Sequence, residues 1–129
     1  MKVFQLAGRE AESLDPANFT GSGTLVRMTG VAEQPAVNAY RVRFEQGTRT
    51  AWHVHSGTQL LVVVEGACRC QTEGEAVHEV PAGGIVSIAA GERHWHGATP
   101  DAPMTHIALN IDASTTWFEK VSDEEYGGR

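Results

Sequence analysis

Two histidines one residue apart, His53 and His55, lie in the glycine-bounded run Gly47-Thr-Arg-Thr-Ala-Trp-His53-Val-His55-Ser-Gly-Thr-Gln59. A second pair begins 35 residues after Gln59, in Gly91-Glu-Arg-His94-Trp-His96. Side chains alternate along an extended chain, so His53 and His55 point to one face. His94 and the amide oxygen of Gln59 can complete a four-donor site there. The expected ligand set is therefore His53, His55, Gln59 and His94, for a divalent ion; neutral imidazole suits Zn, Cu, Fe, Ni and, less tightly, Mn.

Donors spaced in this way need strands to hold them. From Thr24 onward, short runs punctuated by Gly, Pro or Asn give expected strands at Thr24–Met28, Ala39–Phe44, Thr50–His55, Gln59–Glu65, Ala67–Thr72, Glu75–Val80, Ile85–Ile88, His94–Gly97 and Met104–Ile111. That spacing favours an all-β closed or two-sheet architecture over alternating strands and helices. Glu73-Gly74-Glu75 marks a hairpin and Pro81-Ala-Gly-Gly84 a second reversal. The chain divides into an N-terminal arm at 1–23 with at most a short strand, one β-barrel domain at 24–121, and a frayed C-terminal tail at 122–129. Trp117–Val121 is a last apolar patch able to dock on the barrel exterior.

Parity assigns the inner face. With His53 and His55 inside, Gln59 places Leu61 and Val63 inside as well, His94 and His96 share a face, and His106 aligns with Ala108 and Asn110. Tyr40, Val42 and Phe44 alternate with Arg41 and Arg43. Five of the six histidines thus lie in strands that can surround one cavity, and His78 is left as a surface residue. The expected substrate pocket is Tyr40, Val42, Leu61, Val63 and Asn110.

Composition removes several classes of function. The chain has 129 residues, a net charge of −6 and no Lys/Arg cluster, which argues against binding a phosphate backbone. Its longest apolar runs, Leu60–Val64 and Ile85–Ala90, fall far short of a membrane span. Charge enters too early at the N-terminus for a secretory signal, so a cytoplasmic location is expected. Cys68 and Cys70 face the same way on one strand and read as reduced packing thiols.

The spacing resembles the cupin family. Gly47, His53, His55, Gln59 and Gly66 follow the first cupin motif, with Gln in place of its Glu. Gly83, Ala89, Gly91, His94 and Ala98 follow the second, without its Pro and Asn. The resemblance spans about residues 38–112 and implies a small jelly-roll-like antiparallel β-barrel around a metal.

Within that family the chain is similar to the small bacterial manganese-dependent hydroxynitrile lyases. Arg49-Thr-Ala-Trp-His53, Gln59, Gly91-Glu-Arg-His94-Trp-His-Gly-Ala98, Met104-Thr-His106, Trp117 and Val121-Ser-Asp-Glu-Glu-Tyr126 carry the likeness. It implies manganese, with iron, nickel or zinc as alternatives, and active-site roles for His96 and His106. It departs at Tyr40, where a small residue is expected, and at Asn110, one methylene shorter than the usual Gln. In this reading His96 takes the hydroxyl proton of a cyanohydrin at a pKa near neutrality, His106 meets the departing cyanide and Thr50 orients the substrate. The alternatives are a metal-dependent oxygenase acting on an enol or phenol, and a non-catalytic small-molecule-binding cupin. A homodimer or dimer of dimers paired through a sheet is expected.

Overall fold

A computed structural model describes residues 1–128. Thirteen strands and one short helix follow in order: β1 (Ala11–Ser13), β2 (Phe19–Thr20), β3 (Gly23–Glu33), β4 (Ala36–Phe44), β5 (Arg49–Thr50), β6 (His53–His55), β7 (Thr58–Glu65), β8 (Ala67–Thr72), β9 (His78–Pro81), β10 (Ile85–Ile88), β11 (His94–Gly97), β12 (Met104–Ile111), β13 (Thr115–Trp117) and α1 (Asp123–Tyr126). Two antiparallel sheets form. One has the order β1-β3-β4-β12-β7-β10, and the other runs β13-β6-β11-β5-β2 with β8 and β9 added beside β11. The all-β architecture expected from the strand spacing is what forms, and no helix among the described residues is long and apolar enough to cross a membrane.

The alternation along β4 shows why the sheets face each other. Val42 and Phe44 are buried with Leu61, Val63, Cys68, Ile88 and Met104 in one core between the sheets, while Arg41 and Arg43 point outward. Cys68 and Cys70 are free thiols within that core. Two glycines of the motif regions are needed for close approach. Gly66 turns β7 into β8 at φ 71, where a Cβ would run into the Pro103 carbonyl. Gly97 lets β11 lie against β5, since a Cβ there would meet the Thr48 carbonyl and Arg49.

Three expectations change. The single strand Thr50–His55 is two strands, because the amides of Ala51 and Trp52 leave the ladder to bond the carbonyls of Asn18 and Glu119 at 2.8 and 3.0 Å. The N-terminal arm belongs partly to the barrel: β1 extends the six-stranded sheet, β2 pairs with β5, and Leu14 is buried in the core.

The tail expected to fray instead ends in a docked helix through Tyr126; Arg129 lies outside the described residues. Ser122 caps α1 with a reciprocal box, its Oγ accepting from the Glu125 amide at 3.1 Å while its own amide donates to Glu125 Oε1 at 2.9 Å. Three acidic residues in the first turn suit the positive end of the helix. Val121 and Tyr126 pack on Trp52 and Trp95 in a second core outside the sheet. Arg49 donates to the Val121 carbonyl and to Asp123, both at 2.8 Å, and stacks on Tyr126.

The Tyr126 hydroxyl donates to the Ala98 carbonyl at 2.6 Å. Tyr126→Phe leaves that buried carbonyl without its donor and should cost about 1 kcal/mol, lowering Tm by roughly 3–6 °C. A thermal melt checks this; a silent substitution would mean that the hydroxyl bond to Ala98 contributes nothing to stability.

Candidate metal centre

The site spans both sheets. β6 carries His53 and His55, and antiparallel pairing with β11 sets His94 opposite His53. Gln59 opens β7 on the other sheet, opposite Asn110 of β12. The ring centroids of His53, His55 and His94 lie 4.2–5.3 Å apart. All four side chains are buried.

Every one of the four has its second polar atom held. His53 Nδ1 lies 2.8 Å from the Ala51 carbonyl, and His94 Nδ1 lies 2.8 Å from the Glu92 carbonyl. A carbonyl only accepts, so both Nδ1 atoms carry the proton and each Nε2 keeps its lone pair. His55 Nδ1 is 3.0 Å from Thr115 Oγ1, and the Gln59 amide nitrogen donates to Asn110 Oδ1 at 2.8 Å. The atoms that remain include His55 Nε2, Gln59 Oε1 and His94 Nε2, which are buried without a hydrogen-bond partner among the described residues.

Burying such atoms unpaired is costly, and a divalent cation satisfies lone pairs that point to one place. The residues present therefore fit a metal. Burial, reinforced by the neighbouring imidazole of His94, holds His53 well below histidine's usual pKa; burial brings His94 down to about 4 and lowers His55. Neutral imidazole is the form that ligates.

A second grouping is geometrically open, since ligand atoms of His53, His94 and His96 fall within 4.8 Å of one another. The hydrogen bonds favour the first set, because His55 Nε2 and Gln59 Oε1 are buried without a partner among the described residues while the opposite atom of each is held. His96 spends Nδ1 on His106 Nε2, 3.0 Å away. His106 is fully buried, and burial lowers it to about 4 and His96 well below the ordinary value. The expected near-neutral pKa of His96 is thus corrected, because no carboxylate faces the ring to offset desolvation among the causes of its shift.

A cavity of about 420 Å³ opens over this floor. Tyr40, Val42, Thr50, Asn110, His96 and His106 line it together with His53, His55 and Gln59, which brings most of the expected site residues to one place. Leu61 and Val63 point inward as parity requires, but they are 0% and 1% exposed in the core and are not among its lining residues. Thr50 Oγ1 accepts the backbone amide of His96 at 3.2 Å, so it positions that strand as well as lining the cavity. His94 is not among the residues that line this cavity, and it borders a smaller hollow of about 300 Å³ shared with Cys70 and Trp95. The sequence reading missed Trp117, whose ring lies 4.6 Å from that of His53, and Thr115, which holds His55. Both come from β13, whose two-residue alternation in Thr115-Thr116-Trp117 carries the signal.

Residues 40–110 match the family model of the cupin domain, and the chain belongs to the cupin family. It is 40% identical over 123 residues to a (R)-mandelonitrile lyase of Granulicella tundricola, covering 92% of this chain and 94% of that protein. Among solved structures, a cupin-like protein from Thermotoga maritima superposes with a TM-score of 0.82 at 29% identity, over 98% of this chain and 95% of the other. The polyketide cyclase RemF from Streptomyces resistomycificus shares the fold at a TM-score of 0.73 and 18% identity, over 98% and 90% of the two chains.

The two ligand groupings predict opposite outcomes. His55→Ala should lose metal and His96→Ala should keep it, as read by elemental analysis of the purified variants. Asn110→Ala, which frees the Gln59 amide, should weaken metal affinity by about 10–100-fold in a chelator competition. Metal loss in His96→Ala with retention in His55→Ala would select the other grouping.

Proposed function

We propose that this cupin is a metal-dependent hydroxynitrile lyase, cleaving a cyanohydrin to an aldehyde or ketone and hydrogen cyanide, and running in reverse as a synthase. The observation that carries the reading is the His96–His106 pair, joined at 3.0 Å and lining the cavity together with His53, His55 and Gln59. Kinship with the Granulicella mandelonitrile lyase supports it. His53, His55, Gln59 and His94 would hold manganese, with iron, nickel or zinc as alternatives, and such an ion supplies Lewis acidity that favours the alkoxide form of a bound hydroxyl.

The rest is the work of the chain. His96 enters as neutral imidazole because burial disfavours its cation. In the tautomer that donates Nδ1–H to His106 Nε2, His96 keeps its Nε2 lone pair to take the hydroxyl proton. As the carbon–carbon bond breaks, the electron pair leaves on cyanide, the carbonyl forms, and His96 returns the proton to give hydrogen cyanide. His106, expected to meet the cyanide directly, turns its Nε2 to His96 instead. It acts by fixing the tautomer and accepting from the imidazolium. The Thr50 hydroxyl holds the His96 backbone while that ring changes charge.

Gln59 gives the donor set no charge, so a divalent ion there keeps both its positive charges. Gln59→Glu should tighten metal retention yet lower lyase turnover and anion affinity, measured by chelator competition and azide binding. Unchanged azide affinity would remove the neutral-donor argument.

The direct test is release of cyanide from mandelonitrile by the metal-loaded protein. His96→Ala should lower turnover by about 10²–10⁴ with metal content intact. In the parent the rate should rise with pH along a limb lying below histidine's ordinary pKa, since a depressed pKa keeps the base form present to lower pH; the variant should lack that limb. Oxygen uptake with an enol or phenol, without cyanide release, would instead establish the oxygenase reading.

A further inference from the structure

Among the described residues lining the cavity, a single Lys or Arg occurs, Arg27, and it stands at the mouth. β3 pairs with β4 so that Arg27 lies opposite Tyr40, which puts the two side chains on the same inner face. The guanidinium carbon sits over the Tyr40 ring, 5.8 Å from its centroid. Arg27 Nε donates to Glu12 Oε2 at 2.7 Å, and Glu12 is brought there by β1 through the pairing of Glu12 with Leu25.

That ion pair holds Arg27 without consuming it. Both side chains are about half-exposed, 54% for Arg27 and 48% for Glu12, so the pair is screened and weak. It engages Nε, and among the described residues no other side chain bonds the two terminal nitrogens. Those nitrogens form the planar fork that grips a carboxylate.

We propose that Arg27 is a specificity residue, binding an anionic group at the end of the substrate remote from the histidines, so that the protein prefers aromatic substrates carrying a carboxylate opposite the reacting carbon. The inference rests on the cyanohydrin reading for the reacting end alone. Along the order β3-β4-β12-β7 Arg27 falls in one row with Tyr40, Ala108 and Leu61, three strand spacings or about 14 Å across before curvature, and Gln59 lies two residues, about 7 Å, further along β7. The two side chains reach in from either end, and the interval left suits one ring substituted at both ends. Ala108, opposite Tyr40 on β12, leaves room for it, and Phe19 and Trp117 offer aromatic walls. Glu12 is the competitor, since an incoming carboxylate must share or displace its hold on Arg27.

Terephthalate and 4-methylbenzoate share a ring and one carboxylate and differ in the group that would meet Arg27. Calorimetric titration of the metal-loaded protein should give terephthalate a preference of about tenfold, and Arg27→Met should bring the ratio within about twofold. Glu12→Gln should widen the preference, a gain that misfolding cannot produce. Equal binding in the parent, a preference that survives in Arg27→Met, or one that narrows in Glu12→Gln overturns the proposal. Neither probe reacts, so the outcome is separable from failure of the lyase reading, which shows as no cyanide release from mandelonitrile while the binding preference stands.

Discussion

Lone pairs buried without a donor are the constraint around which this barrel is organised. Burial strips water from His55 Nε2, Gln59 Oε1 and His94 Nε2, and each such atom costs stability unless something positive meets it. The chain also ties the opposite atom of each candidate ligand, using the Ala51 and Glu92 carbonyls, Thr115 and Asn110. The two carbonyls set the tautomers of His53 and His94, and the bonds to Thr115 and Asn110 orient His55 and Gln59. Two sheets are required for the set: three imidazoles come from one and the amide from the other.

Support for the floor extends well beyond the cavity. Arg49 is buried between β11 and the C-terminal helix, where it binds the Val121 carbonyl and Asp123 and stacks on Tyr126. The next residue is Thr50, whose hydroxyl fixes the His96 backbone. The docked tail, Arg49, Thr50 and His96 therefore form one continuous line of contacts, from the outer core of Trp52 and Trp95 to the imidazole that would move a proton. The segment from Val121 to Tyr126 thus bears on the geometry of the site.

The mouth follows a different logic from the floor. Below, the donors are neutral and desolvated, and interactions are strong because water is excluded. Above, Glu12 and Arg27 are half in solvent, where charge selects among ligands more than it stabilises the fold. Between them the cavity wall mixes Phe19, Leu25, Val42 and Trp117 with polar groups such as Asn18 and Thr50, which suits a ligand with an apolar body and a few polar groups.

How much of this was legible in the sequence depended on whether a feature is local. The period of two placed His53 with His55, Tyr40 with Val42, and Gln59 with the inner face, because alternation is a property of any extended chain. The spacing of glycines and donors pointed to the family for the same reason, since Gly66 must turn left-handed wherever that turn is used. The capping residues Ser122 and Glu125 were likewise present in the tail, although nothing local showed that Tyr126 would find the Ala98 carbonyl. Pairing across strands decided the rest. Asn110 meets Gln59 and Arg27 meets Tyr40 through the register of paired strands, while His106 meets His96 because the two sheets face each other. Whether Leu61 lines a cavity or is sealed in the core depends on what covers it. Alternation decides which face a side chain takes, but neighbours, burial and the state of each proton arise only when the sheets close on one another.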